Sequence, residues 1–313
     1  MKNVTKVNVL FTATVLVYII LVYTIRLVPA GTFSLNFLLI LPEVILLLPS
    51  FLYMAFMRQD NSESGGFQKV SPLTVVLTVL FTICIIPMVS LINMISSHFV
   101  ENNVSDTLAR TVQSNSLPIN LILLALIPAV VEEVIFRGLI FNGYKKRNPW
   151  RAALLSAVLF GLIHMNINQF TYAFVIGIIF ALLTYVTGSI IPAVIGHFVI
   201  NGSSVILSHV LAAMERAEAT GAAAQAAEEA MSVEMMYIIV YAVLIGMTIV
   251  GLALGGLLFY TICKKNRGIE SFKRIFKKPM RTTYAEEEGK FIDGYLVLGI
   301  VICAVYMLMY EVV

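Results

Sequence analysis

The chain has 313 residues, of which 59% are hydrophobic and only 12% carry a charge. Soluble domains carry about twice that charged fraction, so the composition excludes an ordinary soluble protein and indicates one embedded in a membrane. The net charge of +3 is small, and the basic residues flank apolar segments instead of forming an aromatic-rich soluble surface, so no nucleic-acid partner is expected.

The predicted elements are apolar stretches, most of them at least as long as the roughly 20 residues that a membrane-spanning helix needs. In chain order they lie near residues 7–28, 34–57, 73–97, 117–141, 150–165, 169–187, 189–213, 233–263 and 293–313. The fifth stretch is short, and little more than Gly188 separates the sixth from the seventh. A bilayer requires the backbone groups of a spanning segment to be satisfied within the protein. We therefore predict an all-α polytopic transmembrane helix bundle with eight or nine spanning helices.

Lysine and arginine residues predict the orientation of this bundle. If nine helices alternate, the basic residues fall on one side: Lys2, Lys6, Arg58, Lys69, the cluster 145–151 and the stretch 264–281. Because positively charged loops remain in the cytoplasm, the N-terminus is expected to be cytoplasmic. We expect a multi-pass protein of a bacterial plasma membrane; the sequence predicts no oligomeric state.

We divide the chain into three parts by the positions of its polar residues. We expect N-terminal transmembrane helices in residues 1–110, a helix core that holds most of the polar residues of the apolar stretches in residues 111–213, and C-terminal transmembrane helices with a basic cytoplasmic loop at 264–292 in residues 214–313. Apolar residues at helical spacing within this loop favour a helix on an anionic membrane surface, or equally a solvated loop that only sets topology. Gly251 and Gly255 form a GxxxG pattern, which predicts close helix packing within the chain.

Charged residues inside spanning segments are costly and are therefore candidates for function. In the stretch "EEVIFR", Glu133 and Arg137 are four residues apart, in the order that favours a structural ion pair on a helix. Glu132 points about 100° away from Glu133 around the helix. It is therefore predicted to be a free carboxylate facing another partner. Glu43 is also inside an apolar stretch, where it is either an interior hydrogen-bonding group or evidence of a misplaced helix boundary.

Three further polar side chains lie within the apolar stretches. His164 follows Phe160 by one turn in "FGLIH", and His197 and Asn201 are four residues apart in "HFVIN". Counting the rise of about 1.5 Å per residue from the cytoplasmic side puts Glu132 and His197 at similar depth and His164 deeper. The sequence does not fix where the helix of His164 starts, so the true difference in depth can be smaller. We therefore expect Glu132, His164 and the pair His197 and Asn201 to meet.

A buried glutamate, two histidines and an asparagine suit peptide hydrolysis. Glu132 and His164 would take a proton from a water molecule as it attacks a carbonyl, and His197 and Asn201 would donate hydrogen bonds to the oxyanion. A divalent metal, such as zinc bound by Glu132, His164 and His197, is the rival arrangement. Two other functions stay open: a silent scaffold locked by polar contacts, and a proton-coupled transporter, although the chain shows no repeated halves with broken helices.

These motifs resemble a known family. "EEVIFR", "FGLIH" and "HFVIN" match, in order, the EExxxR, FxxxH and HxxxN motifs of the CAAX protease and bacteriocin-processing (CPBP, or Abi) family of intramembrane proteases. The resemblance covers about residues 117–210 and leaves no motif position unmatched. The resemblance thus implies a protease that acts on membrane-associated proteins or peptides, with its site in a cavity open to the cytoplasm or the bilayer.

The resemblance also implies roles for the motif residues. Glu132 and His164 would activate water and His197 and Asn201 would stabilise the oxyanion, with Glu133 and Arg137 as further motif members. Some members of the family act as partners of other membrane proteins without proteolysis, so an immunity-type partner protein stays open as an alternative.

Overall fold

A computed structural model describes residues 3–56, 66–100, 103–218, 233–276 and 290–312. Every regular element in these residues is a helix, which confirms the all-α prediction. The helices are α1 (Asn3–Arg26), α2 (Leu35–Phe56), α3 (Pro72–Ser96), α4 (Asn103–Ser114), α5 (Leu117–Lys145), α6 (Pro149–Ile163), α7 (Ile167–Thr187), α8 (Ile191–Glu218), α9 (Val233–Lys265), α10 (Ile269–Ile275) and α11 (Gly294–Val312).

Seven of these helices are long and apolar enough to cross a membrane: α1, α2, α3, α5, α7, α8 and α9. Helices α6 and α11 are apolar but shorter. Large apolar side chains such as Ile249 and Leu257 stay exposed on α9, which lipid permits and water disfavours. The protein is a multi-pass membrane protein. The predicted number of eight or nine spans is approximate, because it counted the two shorter helices with the seven long ones.

The helix boundaries follow local signals in the sequence. Gly188 has a left-handed φ of 70° and ends α7, so the predicted break between the sixth and seventh stretches is present. Asn148 caps α6 by accepting a hydrogen bond from the Arg151 backbone N–H, and Pro149 follows at the first turn. Helix α4 was not predicted, because it is polar and too short to give a membrane signal.

Two clusters of buried apolar side chains hold the bundle together. One joins α1, α2, α5, α6, α7 and α11, and the other joins α3, α7, α8 and α9. Helix α7 contributes to both and lies between them. Each of the three predicted parts contributes helices to these clusters, and the functional division stays a prediction. In the basic loop 264–292, α10 is a short helix, and residues 277–289 lie outside the described residues.

The GxxxG pattern of α9 packs within the chain, as predicted. The Gly251 backbone lies against the backbone carbonyl of Cys84 on α3, and a Cβ built on Gly255 would lie 3.7 Å from the Cys84 Cβ. The two helices approach at a distance that leaves no room for a side chain at Gly251.

Gly251→Ala is therefore expected to destabilise the protein by about 1–3 kcal/mol, the usual cost of overpacking, and to lower its thermal midpoint in detergent. Gly256→Ala is the matched control, because no neighbouring atom lies within 4 Å of a Cβ built there. Equal midpoints in the two variants would show that α3 and α9 do not pack at Gly251.

Candidate active site

Helix α5, which carries the two adjacent glutamates, does not have uniform winding. An α-helical stretch, Ile127–Glu133, lies between two π-helical stretches, Ile122–Leu126 and Val134–Phe141. π-Helical turns inside α-helices are frequent at functional sites, where they change the direction of nearby side chains. Glu132 and Glu133 are the last two residues before the second of these stretches. The prediction from the sequence assumed 3.6 residues per turn along the whole helix, so neither π-helical stretch was predicted.

Glu133 and Arg137 form the ion pair that their spacing indicated. The Arg137 Nη1 lies 2.9 Å from the Glu133 Oε1, and both side chains are fully buried. Arg137 Nη2 also donates to the Gly177 carbonyl oxygen at 3.3 Å. Its guanidinium lies 4.2 Å from the centre of the Phe160 ring, close enough for a cation–π interaction. The Arg137 guanidinium is thus held by three contacts.

His197 is held by the same carboxylate. Its Nδ1 lies 3.0 Å from the Glu133 Oε1. Because an ionised carboxylate only accepts, the hydrogen bond requires a hydrogen on Nδ1. In the neutral ring, Nε2 then carries the lone pair, and it lies 3.9 Å from the Glu132 Oε2. The sequence interpretation gave Glu133 a single partner, whereas it holds both Arg137 and His197.

His164 lies at the connection between two helices. Helix α6 ends at Ile163, and Met165 adopts a left-handed φ of 51°, which is uncommon for a residue other than glycine. Asn166 then caps α7 by accepting a hydrogen bond from the Gln169 backbone N–H. This tight connection fixes the position of His164 at the end of α6.

The His164 ring, like the His197 ring, has its Nε2 towards Glu132. The His164 Nδ1 lies 2.8 Å from the Phe160 carbonyl oxygen, to which it donates. Its Nε2 lies 3.8 Å from the Glu132 Oε2. Depth counts had put His164 farther in than Glu132, but the two side chains meet.

Three acceptor atoms therefore lie close together: the Glu132 Oε2 and the Nε2 atoms of His164 and His197. The Glu132 Oε2 is buried and has no hydrogen-bond partner among the described residues. The gaps of 3.8 and 3.9 Å to the two Nε2 atoms are too long for direct hydrogen bonds. Such a gap is suited to a bridging water molecule, which can donate two hydrogens.

The rival metal site can be tested on the same side chains. Both histidines have the second-neighbour hydrogen bonds at Nδ1 that metal-ligating histidines have. Within the described ranges, however, no three His, Cys, Asp or Glu side chains are grouped so as to hold a metal ion. Ligand atoms of a tetrahedral zinc at about 2.0–2.2 Å lie about 3.3–3.6 Å from one another, and the separations of 3.8 and 3.9 Å from Glu132 are only slightly wider. The spacing of Glu132, His164 and His197 therefore leaves the metal arrangement open beside the metal-free one.

Asn201 lies one turn beyond His197 on α8, and one hydrogen of its side-chain amide is used in a hydrogen bond to α5. Asn201 Nδ2 donates to the backbone carbonyl of Leu124 on α5 at 3.3 Å. One hydrogen of the Asn201 amide remains.

Aromatic rings that were not assigned to the site surround it. Besides stacking on Arg137, Phe160 lies edge-on to His164 and to His197, with ring centres 5.1 and 5.9 Å apart. Phe180 on α7 lies 6.0 Å from the His197 ring. The FxxxH spacing offered a signal for Phe160, whereas nothing in the sequence distinguished Phe180 from ordinary apolar residues.

Two further polar side chains lie near Glu132. Glu43 on α2 and Tyr172 on α7 both interact electrostatically with the Glu132 carboxylate. The Glu43 Oε2 is buried without a hydrogen-bond partner in the part of the chain that the structure describes. Glu43 lies well inside α2, so the interpretation of a misplaced helix boundary is wrong. Tyr172 was not identified from the sequence.

Comparison with known proteins yields a family match for the same part of the chain. Residues 114–203 match the family described as Type II CAAX prenyl endopeptidase Rce1-like. This segment contains all six motif residues. The resemblance to the CPBP family is confirmed over this segment. Glu43 lies outside the CPBP-like segment, whereas Tyr172 lies inside it.

One curated relative is similar to part of the chain. A protein of Bacillus subtilis (strain 168) named "Putative membrane peptidase YdiL" is 31% identical over 93 residues, which cover 29% of this chain and 38% of the relative. The match thus spans well under half of that protein. No solved structure matches the chain.

Proposed function

We propose that the protein is an intramembrane endopeptidase of the CAAX-protease-like type, which hydrolyses a peptide bond of a membrane-associated protein or peptide. The observation that carries the proposal is the buried Glu132 Oε2, which has no hydrogen-bond partner among the described residues and faces the Nε2 atoms of His164 and His197 at 3.8 and 3.9 Å. The family match of residues 114–203 and the peptidase name of the relative support this reaction type.

The chemistry starts with a water molecule between Glu132 and His164. Glu132 accepts one of its protons as general base while the Nε2 of His164 accepts a hydrogen bond from the other and orients the oxygen. The water oxygen bonds to the peptide carbonyl carbon, and the carbonyl oxygen becomes an oxyanion. When the C–N bond breaks, the leaving nitrogen takes the proton back from Glu132, so the carboxylate is restored.

Glu133 and Arg137 act as positioning residues in this scheme. Arg137 neutralises Glu133, and Glu133 fixes the ring of His197 through its Nδ1 hydrogen. The remaining negative charge of the motif is then on Glu132, where the base is needed. Asn201 and His197 lie on the adjoining face of α8, where they can contact the peptide carbonyl.

The surroundings of the site follow from the charge pattern. We propose that the N-terminus lies in the cytoplasm, because lysine and arginine concentrate in the loops of one side, and that the membrane is the plasma membrane of a bacterium. Residues 111–213 form the catalytic core in this proposal, and the flanking helices enclose it. The substrate reaches the site from the cytoplasm or from the bilayer.

The proposal is tested by comparing the termini of membrane peptides from cells that make the natural protein or the Glu132→Gln variant. New N-termini are expected only with the natural protein. Glu215→Gln is the matched control, because this glutamate is exposed near the end of α8 and should leave the termini unchanged. If Glu132→Gln cells have the same N-termini as cells with the natural protein, no cleavage depends on Glu132, which would contradict the proposal.

Metal removal gives a separate prediction. Because the proposed hydrolysis uses Glu132 and His164 without a metal, the purified protein should keep its cleavage activity after chelation. Activity should be measured before and after chelator treatment, together with the zinc content of the protein. Loss of activity that added zinc restores would assign the water to a metal ion.

A further inference from the structure

The basic stretch 264–276 lies across one end of the helix bundle. It leaves the end of α9, and α10 within it contacts the ends of two other helices. A Cβ built on Gly268 would overlap the backbone of Val186 near the end of α7. The Phe276 ring lies 5.9 Å from the ring of Trp150 in the first turn of α6. Helix α10 thus lies at the end of the bundle where α7 and α9 finish and α6 begins.

Helix α10 has an apolar side that packs on the bundle and a basic side that does not. Ile275 is buried, and the Phe272 ring packs on Phe259 of α9 with ring centres 5.4 Å apart. Lys273 and Arg274 are exposed. These contacts favour a docked surface helix over the solvated loop that the sequence left open.

The exposed surface around α10 is basic. Glu270 is the single acidic residue of the stretch 264–276, and it pairs with Lys273 at 3.0 Å. Lys69 and Arg151 are also exposed close to the helix ends of this side. The five basic side chains of the stretch are all exposed: Lys264, Lys265, Arg267, Lys273 and Arg274. Such a concentration of positive charge is complementary to an anionic partner.

Exposed aromatic rings accompany these charges. Phe276 is 66% exposed and Phe67 is 59% exposed. The Gly66 carbonyl oxygen accepts a hydrogen bond from the Ile190 backbone N–H at 2.8 Å, so Phe67 lies beside the start of α8, at the same end of the bundle. On a membrane surface, apolar rings enter the acyl boundary while neighbouring cations contact the headgroups. An anionic membrane surface therefore accounts for the rings and the charges together, whereas the charges alone would fit an acidic protein equally well.

We propose that α10 and the exposed basic residues around it bind the headgroups of anionic phospholipids, with Phe276 and Trp150 at the boundary of the acyl chains. This end of the bundle is the one that the charge pattern assigns to the cytoplasm, where the leaflet carries anionic lipid and attracts basic segments next to spanning helices. The inference does not depend on the proposed hydrolysis.

The test uses Trp150, which is the only tryptophan of the chain, so that its fluorescence reports on this surface alone. The full-length protein is reconstituted in phosphatidylcholine vesicles that contain equal fractions of either brominated phosphatidylglycerol or brominated phosphatidylcholine, because bromine quenches a tryptophan that it contacts. We expect the anionic lipid to quench more strongly. The double variant Lys273→Gln, Arg274→Gln should lower the relative association constant of the anionic lipid by about fivefold, the effect of one basic residue near an anionic surface.

Arg216→Gln is the matched control, because this exposed arginine lies near the end of α8 that is remote from α10. It should leave the relative association constant unchanged. Because the side chains replaced in the double variant are exposed, its thermal midpoint should equal that of the natural protein. Equal quenching of the natural protein by the two brominated lipids would overturn the inference and favour an acidic protein as the partner. An unchanged constant in the double variant would also overturn it, because the anionic lipid would then be held elsewhere.

Discussion

Glu132→Gln is expected to abolish peptide hydrolysis while the helix bundle stays intact. A glutamine has the same shape but cannot take a proton from water, and loss of a general base lowers the rate by about 10²–10⁴. The Glu132 Oε2 has no hydrogen-bond partner among the described residues, so the substitution breaks no contact of that atom. Cleavage rate and thermal midpoint should be measured on the same purified sample.

The control for this variant is again Glu215→Gln, which changes the same functional group on the exposed end of α8. It should keep both cleavage and stability. If Glu132→Gln retains activity within tenfold of the natural protein, the base lies elsewhere. Glu43 is then the first residue to replace, because it is the other carboxyl group that interacts with Glu132.

The elements of the fold were largely predictable, because a bilayer imposes long apolar stretches. All nine predicted stretches correspond to helices, and Gly188 ends α7 where the sequence indicated a break. Helix α4 was missed because it is polar and short. The number of full spans was less certain for a physical reason: α6 and α11 are apolar but shorter than the others.

The site was predictable where helical spacing decides it and unpredictable where tertiary packing does. Four-residue spacing was enough to pair Glu133 with Arg137, which lie 2.9 Å apart. Depth counts assumed parallel helices that start in one plane, and they therefore put His164 too deep. The π-helical turns of α5 and the contact of Asn201 with the Leu124 carbonyl depend on packing between helices. No local pattern indicated them.

Arg137→Met is expected to be the most destabilising of the substitutions considered. It leaves the fully buried Glu133 carboxylate without its charged partner, and breaking a buried ion pair in this way costs about 3–5 kcal/mol. The hydrogen bond to the Gly177 carbonyl oxygen and the stacking on Phe160 are lost as well. The amount of protein in the membrane and the thermal midpoint in detergent should both fall.

The double variant Glu133→Leu, Arg137→Met distinguishes the lost pairing from lost packing. Replacing both charges by apolar groups removes the uncompensated carboxylate, so much of the stability should return. Activity should not return, because the His197 Nδ1 loses the acceptor that fixes its ring. Arg216→Met, at an exposed position near the end of α8, should change neither property. A double variant no more stable than Arg137→Met would mean that packing around the arginine, and not its charge, stabilises the bundle.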